Sequence, residues 1–213
     1  RATFNFTDAA ADIDIDAASI TFINMLFLGG VDAVTAALDV NSADFKLLGC
    51  EFRDVTGNML VGIIADANAD RLLIDGLLYL GSLTIGSGAG ITDSCIVLTG
   101  NDYPVIRNSR LITRAAIALI ECRTTAVVQL WVHNCELANL DNRAAGTAGV
   151  CIEDVITGSN GYMWELRCSQ GANAANITEA VTGATFRFFP PIEVVNADAE
   201  ISMEINKVES TDA

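Results

Sequence analysis

Ala43-Asp44-Phe45-Lys46-Leu47-Leu48-Gly49-Cys50-Glu51-Phe52-Arg53-Asp54 is one instance of a layout that the chain repeats. Phe45 and Leu47 alternate with polar neighbours on the way to Gly49, and Phe52 stands three residues beyond it. Residues 19–27, 70–79, 102–111 and 128–137 follow the same plan, and 162–168 is a weaker sixth copy. Asn24, Gly49, Gly76, Asn108 and Asn134 hold the same place at steps of 25, 27, 32 and 26 residues. After each comes a large apolar side chain: Phe27, Phe52, Tyr79, Leu111 and Leu137. Repeats of this length with strand-like content are the mark of a solenoid.

Alternation with a period of two describes a strand with one face inward. Ile20 and Phe22, Phe45 and Leu47, Leu72 and Ile74, and Leu130 and Val132 form the inward pairs before each bend. Asn or Gly at the bend tolerates the left-handed backbone that a sharp corner needs. Strand, bend and strand with no helix between them make one coil of a parallel β-helix. A separate strand opens each coil: Ile13 and Ile15, Leu38 and Val40, Ile63 and Ala65, Ile96 and Leu98, Ile117 and Leu119, Val150 and Ile152. Each coil is therefore expected to carry two recurrent strand regions. Spacers 81–90, 138–149 and 157–161 are expected to bulge out as loops. Residues 1–11, with Phe4 and Phe6 alternating, read as a strand continuing an earlier coil. The pattern stops near Gln170, and residues 184–195 and 200–206 read as strands around Pro190-Pro191. The expectation is an all-β chain: a parallel β-helix of about six coils over 1–171, with 172–213 as a C-terminal β cap for capping and oligomerisation.

A chain of 213 residues that is 51% hydrophobic buries a core easily and forms one solenoid. Its net charge of −15 argues against nucleic acid, which needs the cations this chain lacks, and against an anionic membrane surface. No apolar run approaches the roughly 20 residues of a membrane span, and the start does not read as a signal peptide. Because the sequence opens on Arg1, an upstream part is expected. Cys50, Cys95, Cys122, Cys135, Cys151 and Cys168 are scattered without zinc-like spacing and read as buried thiols suited to a reducing cytoplasm.

Outward positions of a solvated solenoid should be polar. Instead Leu73, Val105 and Trp131 fall at one outward position and Leu28, Leu80 and Ile112 at another, with Leu26 and Leu78 beside them. Apolar side chains on both faces of a strand mean that both faces are covered. These eight residues are the expected interface of a homo-oligomer, a trimer packed side by side.

Residues able to carry chemistry on the outer face are Glu51, Arg53, Asp54, Asp75, Arg107, Arg110, Glu136, Glu165 and Arg167. Glu51, Arg110 and Glu136 share one repeat position and should form a line. A charged solenoid face supplies such neighbours without catalysis, and an aromatic groove for sugar is not expected, since Trp164 reads inward. His133, the single histidine, sits beside the bend and reads as structural, and no metal or cofactor is expected. Asp12, Asp14 and Asp16 project to one side, where they can hold calcium or, as the favoured reading, repel unwanted strand pairing. Gly86-Ser87-Gly88-Ala89-Gly90 lacks the lysine of a phosphate loop.

Arg1-Ala2-Thr3-Phe4-Asn5-Phe6-Thr7, then residues 10–18, then coils of the Gly49-Cys50-Glu51-Phe52 type resemble the right-handed β-helix proteins of tailed bacteriophages. The resemblance covers residues 1–170 and lies in the style of the repeat. It implies a right-handed coil and a structural protein of the virion: a capsid decoration, fibre or spike module assembled in the bacterial cytoplasm. It also implies other virion proteins and a host surface glycan as partners. The alternative is a carbohydrate-binding or carbohydrate-cleaving tailspike module, and a surface adhesin is a third reading.

Overall fold

The left-handed corners fall where the repeat places them. Asn24, Gly49, Gly76, Asn108 and Asn134 have φ between 50° and 69°. In the computed structural model, which describes residues 1–54, 59–81, 92–141, 149–154, 156, 158–170 and 185–196, the regular elements are all strands. The corner does not interrupt hydrogen bonding: the amides of Asn24, Gly49, Gly76 and Asn108 each donate to the carbonyl of the residue before the next coil's bend, at 2.8–3.2 Å. A second left-handed corner precedes the same strand five residues earlier, at Ser19, Asp44, Arg71, Tyr103 and Gln129. These five share no residue type, so the sequence did not announce this corner.

Three parallel ladders stack the coils. The first joins β2 (Ile13–Ile15), β5 (Leu38–Val40), β8 (Val61–Ala65), β11 (Thr92–Leu98), β14 (Ala115–Cys122) and β16 (Val150–Asp154). The second joins β3 (Thr21–Ile23), β6 (Lys46–Leu48), β9 (Leu73–Asp75), β12 (Val105–Arg107) and the first half of β15 (Leu130–Asn139). The third joins β1 (Thr3–Phe6), β4 (Leu26–Gly29), β7 (Glu51–Asp54), β10 (Leu78–Leu80), β13 (Arg110–Thr113) and the second half of β15. Ladders two and three merge because β15 and then β17 (Asn160–Gln170) run through the bend as unbroken strands. The chain is thus all-β with parallel strands in stacked sheets, consistent with a parallel β-helix. Up to β13 the second strand region of each coil is two strands divided at the Asn/Gly corner.

Register puts like residues over like. Phe27, Phe52, Tyr79, Leu111 and Leu137 form one fully buried inward column. Its rings stack, with Phe4–Phe27 centroids 5.6 Å apart, Phe27–Phe52 4.6 Å and Phe52–Tyr79 5.6 Å. Leu47, Ile74, Ile106 and Val132 make a second buried column across the coil, and Leu38, Ile63, Ile96, Ile120 and Ile152 a third. Of the expected pair Ile117 and Leu119, Leu119 is buried in the core, while Ile117 falls out of frame. The register slips by one residue between Thr92 and Ser94, so Ile120 and Cys122 lie over Ile96 and Leu98 while Ile117 is only half-buried. A bulge adds a residue to one strand and flips the alternation beyond it.

Buried asparagines hold the polar corners. Asn139 accepts hydrogen bonds from the amides of Ala115 and Asp141 at 3.0 and 3.1 Å and donates to the carbonyls of Ala115 and Val150 at 3.1 and 3.0 Å. Ala138 and Asn139 therefore close β15 rather than open the loop expected at 138–149, and Asn160 and Gly161 likewise begin β17. The spacer at 81–90 lies, apart from Gly81, outside the described residues. All six cysteines are buried and unbridged. Burial raises the thiols of Cys50, Cys95, Cys122 and Cys135, the last to about 11, and the neighbouring Cys151 together with burial raises that of Cys168, so they pack as small hydrophobes. At the far end, β18 (Thr185–Asn196) pairs in parallel with β17 and extends the sheet by a strand. This strand lies in the segment expected to cap the solenoid, and the strand expected at 200–206 is outside the described residues.

Candidate functional site

The outer faces of ladders two and three meet along the stacked Asn/Gly corner. Four lines of outward side chains run beside it, set by the same register that builds the core. On ladder two, one line reads Thr21, Lys46, Leu73, Val105, Trp131, Tyr162. Its neighbour reads Ile23, Leu48, Asp75, Arg107, His133, Trp164, Phe189. On ladder three the line next to the corner is Leu26, Glu51, Leu78, Arg110, Glu136, Arg167, and the outer one is Leu28, Arg53, Leu80, Ile112, Ala138.

The eight expected interface residues all face outward. Leu26, Leu28, Leu73, Leu78, Leu80, Val105 and Ile112 are half-buried, and Trp131 is 38% exposed. Leu73, Val105 and Trp131 are consecutive in one line. The other line is interrupted, because Arg53 lies between Leu28 and Leu80. Leu26 and Leu78 flank Glu51 in the charged line.

Glu51, Arg110 and Glu136 do share one line, with Leu78 intervening. Glu51 and Glu136 are three coils apart, roughly 14 Å at about 4.8 Å per coil, too far to flank one glycosidic bond. The charges bind coil to coil instead. Arg110 reaches Glu136 at 2.6 Å, Arg107 reaches Asp75 at 2.7 Å, and Arg71 reaches Asp44 at 2.7 Å. Arg1 and Arg53 both close on Glu51; burial pushes its carboxyl up, but the two guanidiniums outweigh that and hold it below its ordinary value. Asp75 is held low in the same way: burial opposes ionisation, while Asn108 and Arg107 win.

Two expectations about this face are corrected. Trp164 points outward, over His133, with ring centroids 4.3 Å apart and planes within 5°. The rings also form a cluster where no aromatic surface was expected. Trp131 lies 5.0 Å from Tyr162 and 5.3 Å from Trp164, and Tyr162 lies 6.2 Å from Phe189, which is 48% exposed. Sequence reasoning missed this because the sixth corner carries neither Asn nor Gly. It is Glu165, with φ 51°, and aligning the weaker copy on it would have placed Trp164 over His133. His133 is a surface residue of this cluster; burial, then Arg107, lowers its basicity.

Beside the rings an open groove of about 340 Å³ follows the corner, lined by Asn108, Ser109, Arg110, Asn134, Cys135, Glu136, Glu165 and Arg167. Corner side chains are tied into a ladder: Asn108 Nδ2 donates to Asp75 Oδ1 at 2.8 Å, and Asn134 Nδ2 to Asn108 Oδ1 at 2.7 Å. Glu165, exposed, stands where the next amide would continue it. The arrangement offers amide, guanidinium and carboxylate groups next to aromatic rings, a set that binds by hydrogen bonding and stacking.

The acidic strand behaves differently from expectation in one respect. Asp12, Asp14 and Asp39 bring their carboxylates within 4.8 Å of one another. Asp39 joins because it lies over Asp14 in the ladder, while Asp16 accepts a hydrogen bond from Asn41 at 3.1 Å. Burial first, then Asp66 and the three neighbouring aspartates, raise the Asp39 carboxyl. β2 is the end strand of its sheet, so its aspartates lie on an edge. In comparison with known proteins, no family model matches the chain, and no curated protein or solved structure does.

Proposed function

We propose that the chain is a structural module of a phage particle, a right-handed β-helix that acts as a stiff oligomeric rod in a decoration, fibre or spike. The observation that carries this reading is the outward line Leu73, Val105, Trp131, three apolar side chains over one another on consecutive coils. Crossovers between parallel strands are right-handed almost without exception, which supports the hand. A second apolar pair, Leu80 and Ile112, lies on the other ladder beyond the corner. Two unlike patches on one subunit favour a closed ring of subunits over a two-fold dimer, and a trimer is the simplest such ring. β18, laid on β17, serves as the cap at that end of the solenoid.

Mass photometry of the purified chain tests the rod. The wild type is expected at trimer mass and Val105→Lys at monomer mass with unchanged β circular dichroism. A wild type that stays monomeric at micromolar concentration overturns the oligomer. Proteomics of purified particles tests the setting, and absence of the chain from them overturns that part.

A further inference from the structure

We propose that Cys151 and Cys168 form a modification site: a disulfide, made by exchange with a small-molecule disulfide such as oxidised glutathione, that staples the last coil of the solenoid. The fold brings the two thiols together. Cys168 lies on β17 over Leu137 of β15 and packs in the core. Cys151 lies on β16, in the other sheet, and packs in the same core. Its Sγ is 3.5 Å from the carbonyl oxygen of Leu137 and 3.5 Å from that of Ser169, the residue after Cys168. The Cys151 sulfur is thus seated against both strands that frame Cys168, and the Cys168 thiol hydrogen-bonds to it. Cys50 and Cys135 turn instead to carbonyls of their own bends, Leu48 at 3.6 Å and His133 at 3.2 Å.

The place of the pair gives the bond its use. Among the described residues β16 ends the six-stranded sheet and has β14 on one side only. Its ladder therefore opens more readily than those inside the stack. A bond from β16 to β17 fastens that end strand to the twelve-stranded sheet and closes residues 151–168 into a loop, which restricts the unfolded chain. The chemistry is two successive exchanges. Cys168 is 7% exposed and Cys151 0%, so Cys168 meets the reagent first. Its thiolate attacks one glutathione sulfur, the glutathione S–S bond breaks, and one glutathione thiolate leaves. The Cys151 thiolate then attacks the Cys168 sulfur and displaces the second. The two protein thiol protons end on the two glutathiones, so one protein disulfide forms as one glutathione disulfide is reduced. Buried thiols resist such attack, and the exchange therefore waits on opening of the end coil. The inference rests on the fold alone, not on the particle or the oligomer proposed above.

The test is incubation of the folded, purified chain with oxidised glutathione in mildly alkaline buffer, followed by thiol titration in denaturant, intact mass and peptide mapping. The titrated thiols are expected to fall from the six of the reduced chain to four. The mass should drop by two hydrogens, and the map should join Cys151 to Cys168. Dithiothreitol should restore all six, and the oxidised chain should melt above the reduced one. Cys168→Ala is expected to keep its five thiols under the same treatment, whereas Cys50→Ala falls from five to three. Circular dichroism checks the fold of each variant, and the wild-type count and map decide the matter without them. Six thiols left after treatment overturn the site. So does glutathione retained on Cys168 with no internal bond, or a bond that joins Cys168 to Cys135. An oxidised chain that melts lower than the reduced one overturns the staple.

Discussion

At the level of single residues, the corner glycines separate backbone cost from packing cost. A Cβ built on Gly49 meets nothing within 4 Å, yet φ is +58°, so substitutions there are judged by conformation alone. Gly49→Asn is expected to be nearly neutral and Gly49→Val to cost about 1–2 kcal/mol in urea unfolding. Equal loss for both would mean that space, not φ, decides the position. Asp39 gives a prediction with a defined pH window. Its carboxyl titrates above the ordinary 3.8, so the folded state holds its proton more tightly than the unfolded chain. Its ionisation then costs stability above the folded pKa, and that cost fades as pH falls through it. Asp39→Asn is therefore expected to stabilise at pH 7 by up to about 1 kcal/mol, because the group is partly solvated. The gain should vanish toward pH 3.8, and a gain independent of pH would count against the repulsion. Residues were legible in the sequence where their type is diagnostic. Asn24 and Gly49 named their corner; Arg71 and Tyr103 hid theirs, since neither side chain favours φ near 60° and only the stacked backbone imposes it.

At the level of elements, the aromatic column shows what a parallel ladder does to a mutation. Phe52 is stacked between Phe27 and Tyr79, at 4.6 and 5.6 Å, and is fully buried. Phe52→Ala opens a void shared by three coils and is expected to destabilise by about 3–5 kcal/mol, whereas Phe52→Leu, the residue two coils further along at Leu111, should cost less than half of that. Chemical denaturation measures both; similar losses would mean that the stack, and not filled volume, matters. The inward columns were readable because period-two alternation survives in Phe45 and Leu47. Reading failed in β14, where the bulge opposite Thr92–Ser94 set Ile120 over Ile96, the place that unbroken register gives to Leu119. A one-residue slip leaves no mark in composition, and only the pairing partner reveals it. The site was half legible for the same reason. The apolar line through Val105 could be counted from the corner, while the ring cluster depended on Glu165 being recognised as a corner.

For the whole molecule, charge is the governing term. Asp and Glu number 27 against 12 Lys and Arg, and the inter-coil pairs Arg71–Asp44, Arg107–Asp75 and Arg110–Glu136 are surface pairs worth little individually. Self-repulsion then exceeds what those pairs return, so raising sodium chloride from low to about 0.5 M is expected to raise the melting temperature by screening. A falling melting temperature would mean that inter-coil pairs such as Arg107–Asp75 dominate. The same architecture has a mechanical outcome. Successive corners are 25 to 32 residues apart, and each coil is fastened only to the coils above and below it. A tether pulling the two chain ends apart would therefore peel the terminal coil while its neighbours stay shut. Force–extension traces would show a regular sawtooth whose teeth each release one coil, roughly 80–110 Å of extended chain.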